Sequence, residues 1–104
     1  MAKIQITNVD QILKLLKIEY ITEYKFCPTR KYRFDFYIPS YNIGIEIEGG
    51  TWINGRHSRG KGYASDCQKY NLAACLGIFV LRFTYDMLKN NEFYNTLMFF
   101  KNKC

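Results

Sequence analysis

Two adjacent segments of strict period-two alternation constrain this chain more than any other feature. In Tyr32–Ile38 the residues Tyr32, Phe34, Phe36 and Ile38 alternate with Arg33, Asp35 and Tyr37; in Ile43–Glu48, Ile43, Ile45 and Ile47 alternate with Gly44, Glu46 and Glu48. Successive side chains of a strand point to opposite faces, so both segments read as half-buried β-strands. The Pro39-Ser40-Tyr41-Asn42 segment between them has turn chemistry, which predicts an antiparallel hairpin. With Ser40 and Tyr41 at the centre of the turn, Asp35 opposes Glu46 and Arg33 opposes Glu48. Opposed residues share a face with Cβ atoms ~4.5–5.5 Å apart, so Asp35, Glu46 and Glu48 are expected to converge. A slip of one residue would undo that convergence.

The rest of the chain supplies elements around the hairpin. Val9, Ile12, Leu13, Leu15 and Leu16 follow helical spacing, with Thr7 or Asn8 as N-cap, giving a helix over about 8–18. Tyr20–Cys27, closed by Pro28, reads as a strand. Gly49–Gly62 holds Gly49, Gly50, Gly55, Gly60 and Gly62 and reads as a loop. A second helix is expected from about Tyr63 to Leu76, with Cys67, Tyr70, Asn71, Ala74 and Cys75 on its apolar face and Gly77 as C-cap. Ile78–Phe83, apolar apart from Arg82, predicts a strand buried on both faces. A last helix occupies part of 86–101, with a break near Asn90-Asn91. The order α-β-β-β-α-β-α implies a crossover, and so a mixed sheet covered by helices.

At 104 residues the chain is expected to be one domain, 1–104, with 48% hydrophobic and 23% charged residues, as in globular proteins. The aromatic share, 17%, is read first as core filling and second as surface for stacking on bases. Fifteen Lys and Arg against nine Asp and Glu give a net charge of +6, which favours an anionic partner, nucleic acid first. No apolar run approaches the ~20 residues of a membrane span. Lys3, Asp10, Lys14 and Lys17 interrupt any signal-peptide pattern, so a cytoplasmic protein is expected. Cys27, Cys67, Cys75 and Cys104 form no C-x-x-C pair and read as reduced, small hydrophobes rather than zinc ligands.

Neighbouring carboxylates raise each other's pKa, and a cluster of them is costly unless a cation lies among them. Hard oxygen ligands suit Mg²⁺, with Mn²⁺ as its substitute, better than zinc. The alternative is an ordinary charged face, with Glu48 on Arg33 and Glu46 on Arg82 or a lysine. Directly after the acidic strand come Arg56, His57, Arg59 and Lys61 on glycine-rich backbone, able to approach a phosphodiester. A carboxylate cluster beside a basic loop points to metal-assisted phosphoryl chemistry.

The Arg33-Phe34-Asp35-Phe36 strand, the Gly44-Ile45-Glu46-Ile47-Glu48-Gly49-Gly50 strand, the Gly55-Arg56-His57 loop, the Asp66-x-x-Lys69 helix and the Val80-Leu81-Arg82-Phe83-Thr84 strand resemble the PD-(D/E)XK nuclease superfamily. Within it they are similar to the small branch related to very-short-patch repair nicking enzymes. The resemblance spans about Tyr20–Met87. It implies an α/β, restriction-endonuclease-like αβββαβ core and Mg²⁺-dependent DNA hydrolysis leaving a 5′-phosphate and a 3′-hydroxyl. By position, Asp35 and Glu46 would be acidic ligands and the main-chain carbonyl of Ile47 a third. Glu48 stands where the usual lysine would be, so the motif reads E-x-E instead of E-x-K. The general base therefore falls among Glu48, as metal ligand or base, His57 and Lys69. For Lys69 the competing role is a surface ion pair with Asp66. Glu19 and Glu23 are available as a further acidic residue of the branch, and Phe34 replaces the proline of the family name.

The resulting expectation is a metal-dependent DNA endonuclease, with Asp35, Glu46 and Glu48 holding Mg²⁺ and Arg30, Lys31, Arg33, Arg56, Arg59 and Lys61 gripping phosphates. No helix-turn-helix or zinc finger is evident, so specificity would come from DNA structure, such as a branched junction cut by a homodimer, or from a partner protein; a homing or repair-type nicking activity is the nearest alternative. The other readings are a non-catalytic nucleic-acid-binding module and an RNA substrate. The abundance of Ile, Lys, Asn, Tyr and Phe hints at an AT-rich genome, such as that of a phage.

Overall fold

The computed structural model describes residues 2–48 and 61–103, with side chains described within 9–48 and 64–102. The elements in chain order are helix α1 (Ala2–Leu15), strands β1 (Ile21–Lys25), β2 (Arg33–Ile38) and β3 (Ile43–Glu48), helix α2 (Lys61–Cys75), strand β4 (Phe79–Thr84), and helices α3 (Tyr85–Lys89) and α4 (Glu92–Lys103). The strands form one mixed sheet in the order β1-β2-β3-β4: β1–β2 and β2–β3 are antiparallel, and β4 runs parallel to β3 after the crossover through α2. This is the expected α/β class, with the αβββαβ order and a C-terminal helix pair.

Helix ends explain several boundaries. Helix α1 starts at Ala2, so Thr7 and Asn8 lie inside it instead of capping it. It ends on Lys17 in the left-handed region (φ 59°), with Ile18 N–H donating to the Leu13 carbonyl at 3.0 Å. Helix α2 closes the same way on Gly77 (φ 77°), as expected, with Ile78 N–H on the Ala73 carbonyl at 2.9 Å. The break near Asn90-Asn91 is present between α3 and α4, with Asn91 at φ 71°.

The predicted hairpin register holds over Phe36↔Ile45, Tyr37↔Gly44 and Ile38↔Ile43. Below Phe36 the strands depart from simple alternation. The β1–β2 register runs Ile21↔Tyr37 and Thr22↔Phe36 and resumes unshifted at Tyr24↔Phe34; Glu23, which is left-handed (φ 51°), and Asp35 opposite it drop out of the pairing. On either side of this unpaired step Phe34 and Phe36 enter different cores, against the single face expected from their spacing.

The larger core packs α1, α3 and α4 on one face of the sheet. It includes Val9, Leu13, Phe36, Ile38, Ile43, Ile45, Phe83, Phe93 and Leu97. The smaller one, Phe26, Cys27, Phe34 and Ala73, lies on the α2 side. Of the face expected to turn inward on α2 only Tyr70 is half-buried; Ala73 is buried and Leu72 half-buried instead, while Cys67, Asn71, Ala74 and Cys75 are exposed. The physical reason is that Lys69, one turn before Ala73, has a carboxylate partner on the sheet, so a charged residue shares the inward side. Strand β4 is an edge strand, not one buried on both faces, and Phe79 is 64% exposed. Of the described cysteines only Cys27 is buried, so Cys67 and Cys75 are not core hydrophobes.

Candidate active site

The site grows out of the unpaired step. Asp35 lies opposite the left-handed Glu23, and its carboxylate turns toward β3, where Oδ2 accepts the Ile47 N–H at 2.8 Å. A side-chain oxygen thus takes a backbone donor next to the Ile47 carbonyl. Beside it, Glu46 is half-buried, its side chain 15% exposed, and Oε1 accepts from Lys69 Nζ at 2.9 Å. Lys69 is comparably enclosed, at 14%. Burial pushes the Glu46 carboxyl above its ordinary range and the nearby Asp35 charge adds to that, while the Lys69 ammonium pulls it back.

Glu48 faces the same helix but has its own cation. Its Oε2 accepts from Arg82 Nε at 2.9 Å and from the Tyr70 hydroxyl at 3.4 Å. The Tyr70 ring lies between the two cations, with Arg82 4.7 Å and Lys69 5.6 Å from its centroid. Burial, together with the charges of Glu46 and Glu48, pushes the Tyr70 phenol well above its ordinary value, so it remains a proton donor at neutral pH. Along the line Glu46–Lys69–Tyr70–Arg82–Glu48, the two cations share one aromatic ring and each carries its own carboxylate.

The expected convergence is therefore divided. Asp35 and Glu46 are neighbours, but Glu48 is drawn to Arg82, and among the described residues no group of three or more His, Cys, Asp or Glu side chains is placed to hold a metal. The charged-face alternative is met in part, because Glu46 pairs with a lysine while Glu48 takes Arg82 instead of Arg33. Arg33 binds Glu23 at 2.8 Å and lies across from Lys25. Lys69 pairs with Glu46, not with Asp66. Arg30 and Lys31 are exposed at the β1–β2 turn, where Arg30 donates to the Tyr32 hydroxyl at 2.8 Å. Lys61 begins α2, inside the stretch expected as loop. Arg56, His57 and Arg59 lie outside the described residues.

Two contributors are not expected from the sequence: Tyr70, which it places on a helix face, and Arg82, which it pairs with Glu46, with neither linked to Glu48. Glu23 joins Thr22, Asp35, Phe36, Ile47 and Tyr85 around a cavity of about 360 Å³. Glu23, one of the two acidic residues available from the sequence, takes this place because it lies opposite Asp35 where the β1–β2 pairing is interrupted.

No family model matches the chain, and no curated protein matches it significantly. Among solved structures, the chain is similar to the catalytic domain of the homing endonuclease I-Bth0305I, with a TM-score of 0.66 and 22% identity over 88% of this chain and 87% of that one. The likeness extends over nearly the whole of both chains and is a likeness of fold.

Proposed function

We propose that the chain is a metal-dependent nuclease that hydrolyses phosphodiester bonds in DNA, with its reaction centre at Asp35, Glu46 and Lys69. The observation that carries this reading is one juxtaposition: at the unpaired step of its strand the Asp35 carboxylate accepts from the backbone of Ile47, beside a half-buried Glu46–Lys69 pair. The shared fold with a homing endonuclease catalytic domain supports it. Two carboxylates and a peptide carbonyl suit Mg²⁺, which keeps several waters and binds through one or two carboxylates plus substrate phosphate. Asp35, Glu46 and the Ile47 carbonyl would hold it, with Mn²⁺ as substitute. When bound, such an ion supplies charge neutralisation at the phosphate and a more acidic water.

The chain's own residues then divide the work. Lys69 Nζ holds the Glu46 carboxylate in place and presents its remaining N–H groups to the charge that develops on the phosphodiester. Tyr70 stays protonated and, with Arg82, anchors Glu48, so Glu48 supports the site from its edge. Arg30, Lys31 and Arg33 extend a cationic surface for flanking phosphates, and the net charge of +6 favours the same partner.

Incubation with supercoiled plasmid, a four-way junction and a matched RNA hairpin, each in Mg²⁺, Mn²⁺ or EDTA, tests the assignment. Cleavage is expected with metal only, and Asp35→Asn or Glu46→Gln should lower it by at least about a hundredfold. Preference for the junction together with a dimeric mass would assign a structure-specific role, nicked plasmid a nicking role, and cleavage of the hairpin an RNA substrate. Equal cleavage by both variants, or none by the wild type, overturns the reading. Binding without cleavage would assign a nucleic-acid-binding module, which the existing pairing of Glu46 and Glu48 with cations favours.

A further inference from the structure

We infer that Phe34, admitted by Gly44, is the positioning residue that holds the Lys69 ammonium on Glu46, an inference that rests on the assignment of Lys69 and Glu46 to the reaction centre. Phe34 is fully buried, yet its ring belongs to the small α2-side core and not with Phe36. The unpaired step at Glu23 and Asp35 lies between the two. The ring stacks with Phe26 at 4.4 Å and 14° and packs against the backbone of Gly44. A Cβ at Gly44 would fall 2.6–2.7 Å from three ring carbons, closer than unbonded carbons approach. Gly44 is not left-handed, so the glycine serves space and not backbone freedom.

The Lys69 ammonium lies 5.3 Å from the centre of that ring, 5.6 Å from that of Tyr70 and 2.9 Å from Glu46, so Phe34 is the nearer of its two rings and the buried one. A lysine is a compact charge on a flexible four-carbon stem, held in one place only by such neighbours. An aromatic face attracts it by the ring quadrupole, and more strongly where water is partly excluded, as the low exposure of both charged side chains indicates. Phe26 fixes Phe34, Phe34 holds Lys69, and Lys69 holds Glu46. The chain of contacts begins at a residue without a side chain.

The test replaces Phe34 by pentafluorophenylalanine, which keeps the ring's shape but reverses its quadrupole, with 4-fluorophenylalanine as an intermediate. Two quantities are read: the side-chain order of Lys69 by NMR relaxation at its ε-carbon, and kcat and KM on DNA. The expected result is a graded loss of Lys69 order and a fall in kcat of about tenfold at nearly constant KM. Gly44→Ala should lower Lys69 order as well, and if that variant misfolds the near-isosteric fluorinated proteins still decide. Unchanged Lys69 order in the pentafluoro protein overturns the inference whatever happens to cleavage. Loss of order with unchanged kcat would uphold the positioning while removing Lys69 from the reaction. Should the wild type not cleave, Lys69 order alone decides, so the two failures are separable.

Discussion

The two faces of the sheet are built from different materials. Among the described residues, those buried toward α1, α3 and α4 are aliphatic side chains and phenylalanines in one continuous cluster of twelve, against four on the α2 side. Apolar burial contributes about 25 cal/mol per Å² removed from water, so the first face supplies the larger share of the apolar burial these residues provide. The second face uses its enclosed space for Glu46 and Lys69, whose desolvation offsets much of their attraction. Stability and chemistry are thus segregated by a sheet one residue thick. Asp35 lies at the unpaired step where its strand crosses from one regime to the other.

The largest effect expected from this division is on stability. Phe93 is fully buried and meets Phe83 edge-on at 5.0 Å and 78°. Phe93→Ala should lower unfolding free energy by about 3–5 kcal/mol through lost transfer energy and the cavity left behind. Ala73→Gly, at a fully buried position of α2, should cost only about 1 kcal/mol, the ordinary helix penalty. Urea midpoints at equal m-values compare them directly. Similar losses at both positions would erase the asymmetry between the faces.

A smaller, pH-dependent effect sharpens the comparison at Glu46. Its carboxyl is raised by burial, so the folded state holds that proton more tightly than the unfolded chain does. Stability from this group is therefore fully present below the unfolded pKa and is lost as pH rises through the higher folded one. Measured in EDTA, wild type should lose stability relative to Glu46→Gln across that acidic window and level off above it. A relative gain with rising pH would mean that the pairing with Lys69 outweighs burial.

Much of the fold was legible because local and non-local signals agreed. Gly77 closes α2, Asn90-Asn91 parts the last helices, and turn chemistry at Pro39–Asn42 sets the hairpin register from Phe36↔Ile45 to Ile38↔Ile43. What was not legible depends on tertiary partners. The inward face of α2 contains Lys69, which a hydrophobic pattern rejects unless Glu46 is known to lie opposite. Phe34 and Phe36 share one face by period two, yet they enter different cores on either side of the unpaired Glu23 and Asp35. The continuous apolar run of β4 resembles a central strand, but its position at the edge is set by sheet order. The division of the carboxylates follows from Arg82, whose side-chain direction depends on the parallel pairing Glu46↔Arg82.

The smallest effect is predicted at that arginine. Arg82 and Glu48 approach to 2.9 Å, but their side chains are 53% and 20% exposed, and water screens a pair so open. Arg82→Gln should therefore cost less than about 1 kcal/mol, and the cost should shrink further as salt is raised. Glutamine can still donate to Glu48, so any larger loss would have to come from the guanidinium stacked 4.7 Å over the Tyr70 ring. That contact is less sensitive to salt than the exposed ion pair. A large, salt-independent loss in urea titrations would make the α2 face a stabilising surface in its own right, held by Arg82 on Tyr70, and would contradict its assignment to chemistry alone.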